Sequence, residues 1–296
     1  MKLQETKTVK DGTVISVYMP GANLADFEQP ILATSDIHAD SIYCDTQMFV
    51  RDMKRADTKG AWVTIAGDLF DAMQARKDPR GRPEEMRSEF VGKSNYFDVI
   101  VDYVYELLKP YQHMILLIGK GNHEYSVMRH NETDLVQRLI GILNSGQNHK
   151  IVAGGYVGWV RFMYQSNKRT PQGSVNYVYN HGFGGDAPVT KGTIQTNRQA
   201  ASLEGVDVVH NGHNHNEYYL PIPKERLNNK GKVEVVPQIF IRTPGYKNTF
   251  ENDLDGSSWE RQGGNPKPLG SIYFTIGNLE SRNDRHPGIL SVEKLF

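Results

Sequence analysis

Residues 61–71, Ala-Trp-Val-Thr-Ile-Ala-Gly-Asp-Leu-Phe-Asp, constrain this chain more than any other stretch. The apolar part is long enough for one strand and is bounded by glycine, the pattern of a central strand covered on both faces. In open α/β sheets ligands gather where such strands end, so the run delivers Asp68 to the mouth of a site. Residues 30–38 and 114–124 share the form: the first ends in Asp36 and His38, the second in Asn122, His123 and Glu124. Three strand ends are therefore expected to converge.

Two later β-like runs also finish in imidazoles, His181 after residues 175–180, and His213 and His215 after residues 206–212. Carboxylate, amide oxygen and imidazole suit Mn, Fe, Zn or Co rather than Ca, and no thiolate takes part. Composition bears on what such a site would hold. The 34 Lys plus Arg balance 34 Asp plus Glu, so no global field draws the protein to nucleic acid. An anionic substrate has to be held locally, as bound divalent cations do. Cys44 is the single cysteine, which rules out an intrachain disulfide and is compatible with a reducing compartment. No run has the length of a membrane span, and residues 1–7 lack the apolar segment of a signal peptide. A cytoplasmic protein with no membrane partner is expected.

A single domain is expected over residues 1–296. Residues 13–18 read as an edge strand and residues 41–57 as a crossover helix. Residues 72–93 are polar and mixed in charge, and they are expected to form a flap facing the substrate, with arginines that meet phosphate. Helices are predicted over 96–108, which Pro110 stops, and over 132–143, with Asn131 as N-cap. Beyond residue 150 come short β-like runs at 151–153, 156–164, 175–179, 206–209, 217–220, 233–241 and 271–276, with one helix over 193–203. Residues 248–268, rich in Gly, Asn, Asp and Ser, read as a long surface loop.

Each motif is weak alone: Asp36-x-His38 and Gly67-Asp68 double as turn or helix caps, and Gly121-Asn122-His123-Glu124 as a turn. His213 and His215, two apart in an extended segment, are expected on one side of the chain. His113, His130, His149, His210 and His286 have no such setting and read as structural. Taken in order over residues 30–215, the five pieces resemble the calcineurin-like metallophosphoesterase superfamily.

That resemblance implies an α/β fold, a two-layer β-sandwich flanked by helices (αββα), with the β-rich later half supplying the second sheet. It implies two divalent metal ions, Mn first, with Fe, Zn and Co as alternatives. One would be held by Asp36, His38, Asp68 and His215, the other by Asp68, Asn122, His181 and His213, with Asp68 bridging. His123 would face the substrate, and Asp71 and Glu124 would orient imidazoles. The activity implied is hydrolysis of a phosphate ester by metal-activated hydroxide. Gly67-Asp68-Leu-Phe-Asp71 resembles a nuclease branch of the superfamily, whereas Gly-Asn-His-Glu is closer to protein phosphatases and nucleotidases. A phosphodiesterase acting on a nucleotide or nucleic acid is favoured over a phosphomonoesterase, and a binding module that keeps the fold without catalysis is the reading from another class.

Overall fold

The computed structural model describes residues 3, 7–22, 26–73, 81–165, 171–185, 190, 192–227, 231–248, 266–281 and 284–294. Strands β1 (Lys7–Asp11) and β2 (Val14–Pro20) form an antiparallel pair. On its other side β2 pairs in parallel with residues 157–165, so the run expected at a sheet edge is internal and β1 takes the edge. Ile15, Val17 and Met19 alternate inward along it.

β3 (Glu28–Thr34), β4 (Trp62–Ile65) and β5 (Ile115–Ile118) run parallel, joined by helices α1 (Thr46–Lys59) and α2 (Tyr96–Leu108). α1 starts later than its periodicity suggests because the Asp45 carboxylate accepts from Met48 N at 2.9 Å, and Gly60 in the left-handed region ends it. β4 and β5 are buried along their whole length, as strands covered on both faces must be. Helix α3 (Asn122–Asn131) begins within the Gly121–Glu124 motif, where a turn is the alternative to a site motif. The next helix, α4 (Leu135–Leu143), is capped by Asp134 rather than Asn131, because Glu132 at φ 53° breaks the chain between them.

β6 (Val152–Ala153), β7 (Val157–Gln165), β8 (Pro171–Asn180), helix α5 (Thr193–Ser202), β9 (Val208–Asn211), β10 (Tyr218–Leu227), β11 (Val233–Arg242), β12 (Ile272–Ser281) and β13 (Asp284–Lys294) complete the fold. Two sheets result, ordered β1-β2-β7-β8-β9-β11-β10 and β13-β12-β3-β4-β5-β6. The later half therefore does not supply the second sheet alone: β1 and β2 join it, and β12 returns to pair antiparallel with β3, Ile272 opposite Ala33. β13 escapes sequence reading because Pro287-Gly288 interrupts it, which a sheet-edge strand tolerates.

Trp62, Leu116, Phe162, Tyr177 and Phe274 fill the space between the sheets. A second apolar cluster lies between the six-stranded sheet and α1, α2 and α4, and a third lies under α5. The order of layers is αββα. Residues 81–93 of the expected flap are docked on this body, with Met86 and Phe90 buried and Met86 bridged to Ser41. Arg87 donates to Thr46 Oγ1 at 2.7 Å and lies over the Tyr103 ring. Residues 74–80, and residues 249–265 of the expected loop, lie outside the described residues. No helix among the described residues is long and apolar enough to cross a membrane.

Phe274 is fully buried between the sheets. Phe274→Ala should cost about 3–5 kcal/mol of stability, read from urea denaturation as a lower midpoint at unchanged slope.

Candidate metal centre

The C-terminal ends of β3, β4, β5, β8 and β9 carry Asp36 and His38, Asp68, Asn122 and His123, His181, and His213 and His215 respectively, and the fold brings all of them together. Backbone bonds continue past the strands: Asp36 N donates to Gly67 O at 3.0 Å and His38 N to Asp68 O at 3.0 Å. Gly212 N donates to His181 O at 3.0 Å, which ties the two loops of the other sheet. The two sheets meet where His213 N donates to the Asp36 carboxylate, 3.0 Å from each oxygen. Gly67, at φ 97°, and Gly121 let the β4 and β5 loops touch, and a Cβ on Gly121 would overlap the Asp68 carboxylate.

Seven described non-glycine residues have positive φ, and five of them are Asp36, His38, Asp68, His213 and His215. Strained backbone of this kind persists where surrounding contacts over-determine it, and it concentrates at functional sites. It also corrects one expectation. With φ of 74° and 52°, His213 and His215 are not in an extended segment, and they diverge into different clusters. His215 joins Asp36 and His38, whereas His213 joins Asp68 and His181.

Asp68 sits between them. Its Oδ2 is 3.0 Å from His181 Nε2, 4.0 Å from His38 Nε2 and 3.8 Å from His123 Nε2. Asn122 Oδ1 lies 3.0 Å from His181 Nε2 and 2.8 Å from His213 Nδ1, and His215 Nε2 lies 3.4 Å from Asp36 Oδ1. Neighbours fix the imidazole tautomers. His38 Nδ1–H donates to Asp71 Oδ1 at 2.7 Å, His181 Nδ1–H to Ala66 O at 3.0 Å and His123 Nδ1–H to Asp71 O at 2.7 Å. Each Nε2 is thereby turned toward the cluster. His38 Nε2 is buried with no hydrogen-bond partner, which a coordinated cation would supply. The donor set and this orphaned nitrogen fit divalent metal.

Asp71 orients an imidazole, but Glu124 does not. Its carboxylate accepts from Gly121 N at 2.7 Å, Phe70 N at 2.9 Å and Asp68 N at 3.1 Å, half of a capping box that also clamps the β4 loop onto the start of α3. Sequence reasoning missed Lys247, whose Nζ donates to Asp71 Oδ1 at 3.0 Å and Glu85 Oε2 at 2.8 Å. It missed Asp40, which accepts from Asp71 N, Ala72 N and Tyr96 Oη and so holds the loop carrying Asp71. His210 is structural as expected, yet it belongs to a buried chain that reaches the site. Thr64 Oγ1, Tyr177 Oη, His210, Thr243 Oγ1 and Ser35 Oγ follow one another at 3.0, 2.7, 2.9 and 2.6 Å, and Ser35 donates to Asp36 Oδ2.

Burial pushes the Asp36 and Asp68 carboxyls up, but the imidazoles around them, His181 first, outweigh it and hold both below the ordinary range. Burial also opposes the charge on His181, yet Asp68 and Asp36 win and raise it to about 10. His38 goes the other way, lowered to about 4 by burial despite Asp71, so it is neutral and ready to ligate. Lys247, by its charge, helps keep Asp71 ionised against burial.

The chain belongs to the calcineurin-like phosphoesterase family, whose sequence pattern it matches over residues 29–259. No curated protein matches it in sequence. Among solved structures it is similar to a conserved uncharacterized protein from Streptococcus pneumoniae, described as a predicted phosphoesterase, at 14% identity over 85% of this chain and 84% of that one, with a TM-score of 0.30. It is similar to a metallophosphoesterase from Sphaerobacter thermophilus, at 14% identity over 90% of each chain, with a TM-score of 0.30. A third is GAP50, the anchor in the inner membrane complex of Plasmodium, at 10% identity over 90% of this chain and 88% of that one, with a TM-score of 0.35.

With its pKa raised to about 10, His181 is protonated at neutral pH until a metal takes the proton's place. Metal binding should therefore release about one proton per chain near neutral pH, and apparent affinity should rise about tenfold per pH unit below that pKa. Calorimetry of Mn binding in buffers of different ionisation enthalpy measures the release directly, and its absence would mean that His181 is already neutral in the apoprotein.

Proposed function

We propose that this protein is a dinuclear metal-dependent phosphoesterase that cleaves a phosphodiester of a nucleotide or nucleic acid. The observation that carries the reading is the position of Asp68, whose carboxylate is shared between the cluster with His38 and His123 and the cluster with His181 and His213. Asp36, His38, Asp68 and His215 would hold one ion, and Asp68, Asn122, His181 and His213 the other. When bound, such a pair supplies an activated water and neutralises the phosphoryl oxygens of an in-line displacement. Mn suits the mixed carboxylate, amide and imidazole set, with Fe, Zn or Co as alternatives.

The chain's own residues then have limited tasks. No side-chain nucleophile is needed, and Cys44 is unsuited to be one, since burial pushes its thiol up to about 11. His123 remains partly open at the site, with Nδ1–H committed to Asp71 O, so Nε2 is the nitrogen that, when the ring is the doubly protonated imidazolium, would donate a proton to the leaving oxygen. An aromatic ledge supports a nucleotide substrate. Tyr125 is 42% exposed, its ring is 5.7 Å from Tyr156, and the Tyr156 ring is 5.3 Å from His181. Phe183, two residues past His181, is half exposed, and bases stack on such faces.

Asp68→Asn should weaken both sites, so elemental analysis after dialysis should find less than one Mn per chain; two retained ions would remove Asp68 from the shared position. Wild-type Mn protein should turn over bis-nitrophenyl phosphate faster than nitrophenyl phosphate, the reverse ratio indicating a phosphomonoesterase. His123→Asn should keep both ions and lose little on nitrophenyl esters, whose leaving group needs no proton. On a nucleotide diester it should lose about a hundredfold or more in kcat/KM. An equal loss on both would show that His123 positions substrate instead.

A further inference from the structure

A buried guanidinium stands on the outer face of the seven-stranded sheet with no carboxylate paired to it among the described residues. Arg242 ends β11, in register with Asn211 of β9 on one side and Tyr218 of β10 on the other, and is 3% exposed. Arginine stays charged in proteins, and buried charge is ordinarily paired or hydrogen-bonded. Here Nε and Nη1 have no hydrogen-bond partner, and no ion pair joins Arg242 to a carboxylate among the described residues. The guanidinium rests on the Tyr218 ring, Cζ 4.8 Å from its centroid, and the Tyr218 hydroxyl is fixed 2.5 Å from Thr196 Oγ1 of α5. The π face supports the cation from one side and leaves its N–H edge unsatisfied.

What faces that edge is the start of α5. Gly192 is the N-cap, at φ 82°, and a Cβ there would overlap Arg242 Nη1, so only glycine admits the guanidinium to this place. Glycine also brings no capping oxygen, and no side chain caps the helix from this position. The first turn of a helix carries unsatisfied N–H groups and a partial positive charge. A full positive charge is thus held against the positive end of a ten-residue helix. Thr190 O takes the first amide of that turn, Thr193 N, at 2.8 Å, and an anion lying beside the guanidinium and in front of the remaining amides would relieve both.

We propose that Arg242 and the first turn of α5 form an oxyanion site, separate from the metal cluster, that takes a phosphate group. A phosphate has enough oxygens to accept from the guanidinium and from backbone amides together. Asn211, beside Arg242 in the sheet, lies two residues before His213, so the site neighbours the ligand loop of β9. The phosphate comes either from solution as the free ion or from the far end of a substrate engaged at the metals. The site does not depend on the hydrolytic reading, because its partners are not metal ligands.

Equilibrium dialysis of labelled inorganic phosphate against the Mn-loaded full chain tests it. Arg242→Gln should remove one class of bound phosphate or weaken it at least about tenfold, whether the wild type holds two phosphates or, if the metals bind none, one. Gly192→Ala, whose Cβ displaces the guanidinium, should produce the same loss and serves if Arg242→Gln does not fold. Equal stoichiometry and affinity in wild type and both variants would overturn the site. The source is read from KM for a nitrophenyl diester of a nucleoside phosphate that carries a second, terminal phosphate, relative to the same diester without it. A ratio that rises about fivefold or more in Arg242→Gln assigns the phosphate to the substrate, and an unchanged ratio with the phosphate class lost assigns it to the free ion.

Discussion

Asp36 and Asp68 are buried beside each other, 0% and 2% exposed, and two like charges in a low-dielectric interior repel strongly unless cations intervene. Most of the surrounding structure answers that demand. The six-stranded sheet contributes the carboxylates, but it has only His38 and His123 to set against them. The other sheet is needed to bring His181, His213 and His215 across, and Lys247 arrives from the segment after β11 to serve Asp71. The zero net charge of the whole chain conceals this local arrangement.

The carboxylates also have to be aimed, and two devices do so from opposite sides. Glu124 gathers three amides and fixes the angle at which Asp68 leaves β4. On the far side, the chain from Thr64 through Tyr177 and His210 crosses from one sheet to the other and ends on Asp36 through Ser35. Polar networks in an apolar core are costly when incomplete and rigid when satisfied. This one registers the two sheets against each other at the level of the ligands.

Much of this was legible in the amino-acid order. Apolar runs that stop at glycine marked β4 and β5, a similar run that ends in Ser35-Asp36 marked β3, and helical spacing marked α2 closely. What was not legible has identifiable causes. The placing of β12 beside β3 pairs Ile272 with Ala33 and leaves no local period to read. The left-handed backbone at His213 and His215 overrides the alternation that an extended segment would impose, sending the two rings to different clusters. Gly121-Asn122-His123-Glu124 has turn composition, yet Glu124 reaching back to Gly121 makes it a helix start. Lys247 carried no signal, since a lone lysine in a polar, turn-rich stretch looks like any solvated surface.

Strand β3 holds Asp36 at its end, but one flank of that strand is covered by β12, and Asp36 O accepts from Tyr246 N at 2.9 Å. Both partners lie more than two hundred residues downstream. Loops closed over such separations form late and slowly, because their entropy must be lost before any contact is gained. On the ribosome Asp36, made early, is therefore seated late, and a nascent chain that stops before β12 lacks one flank of the strand that holds it.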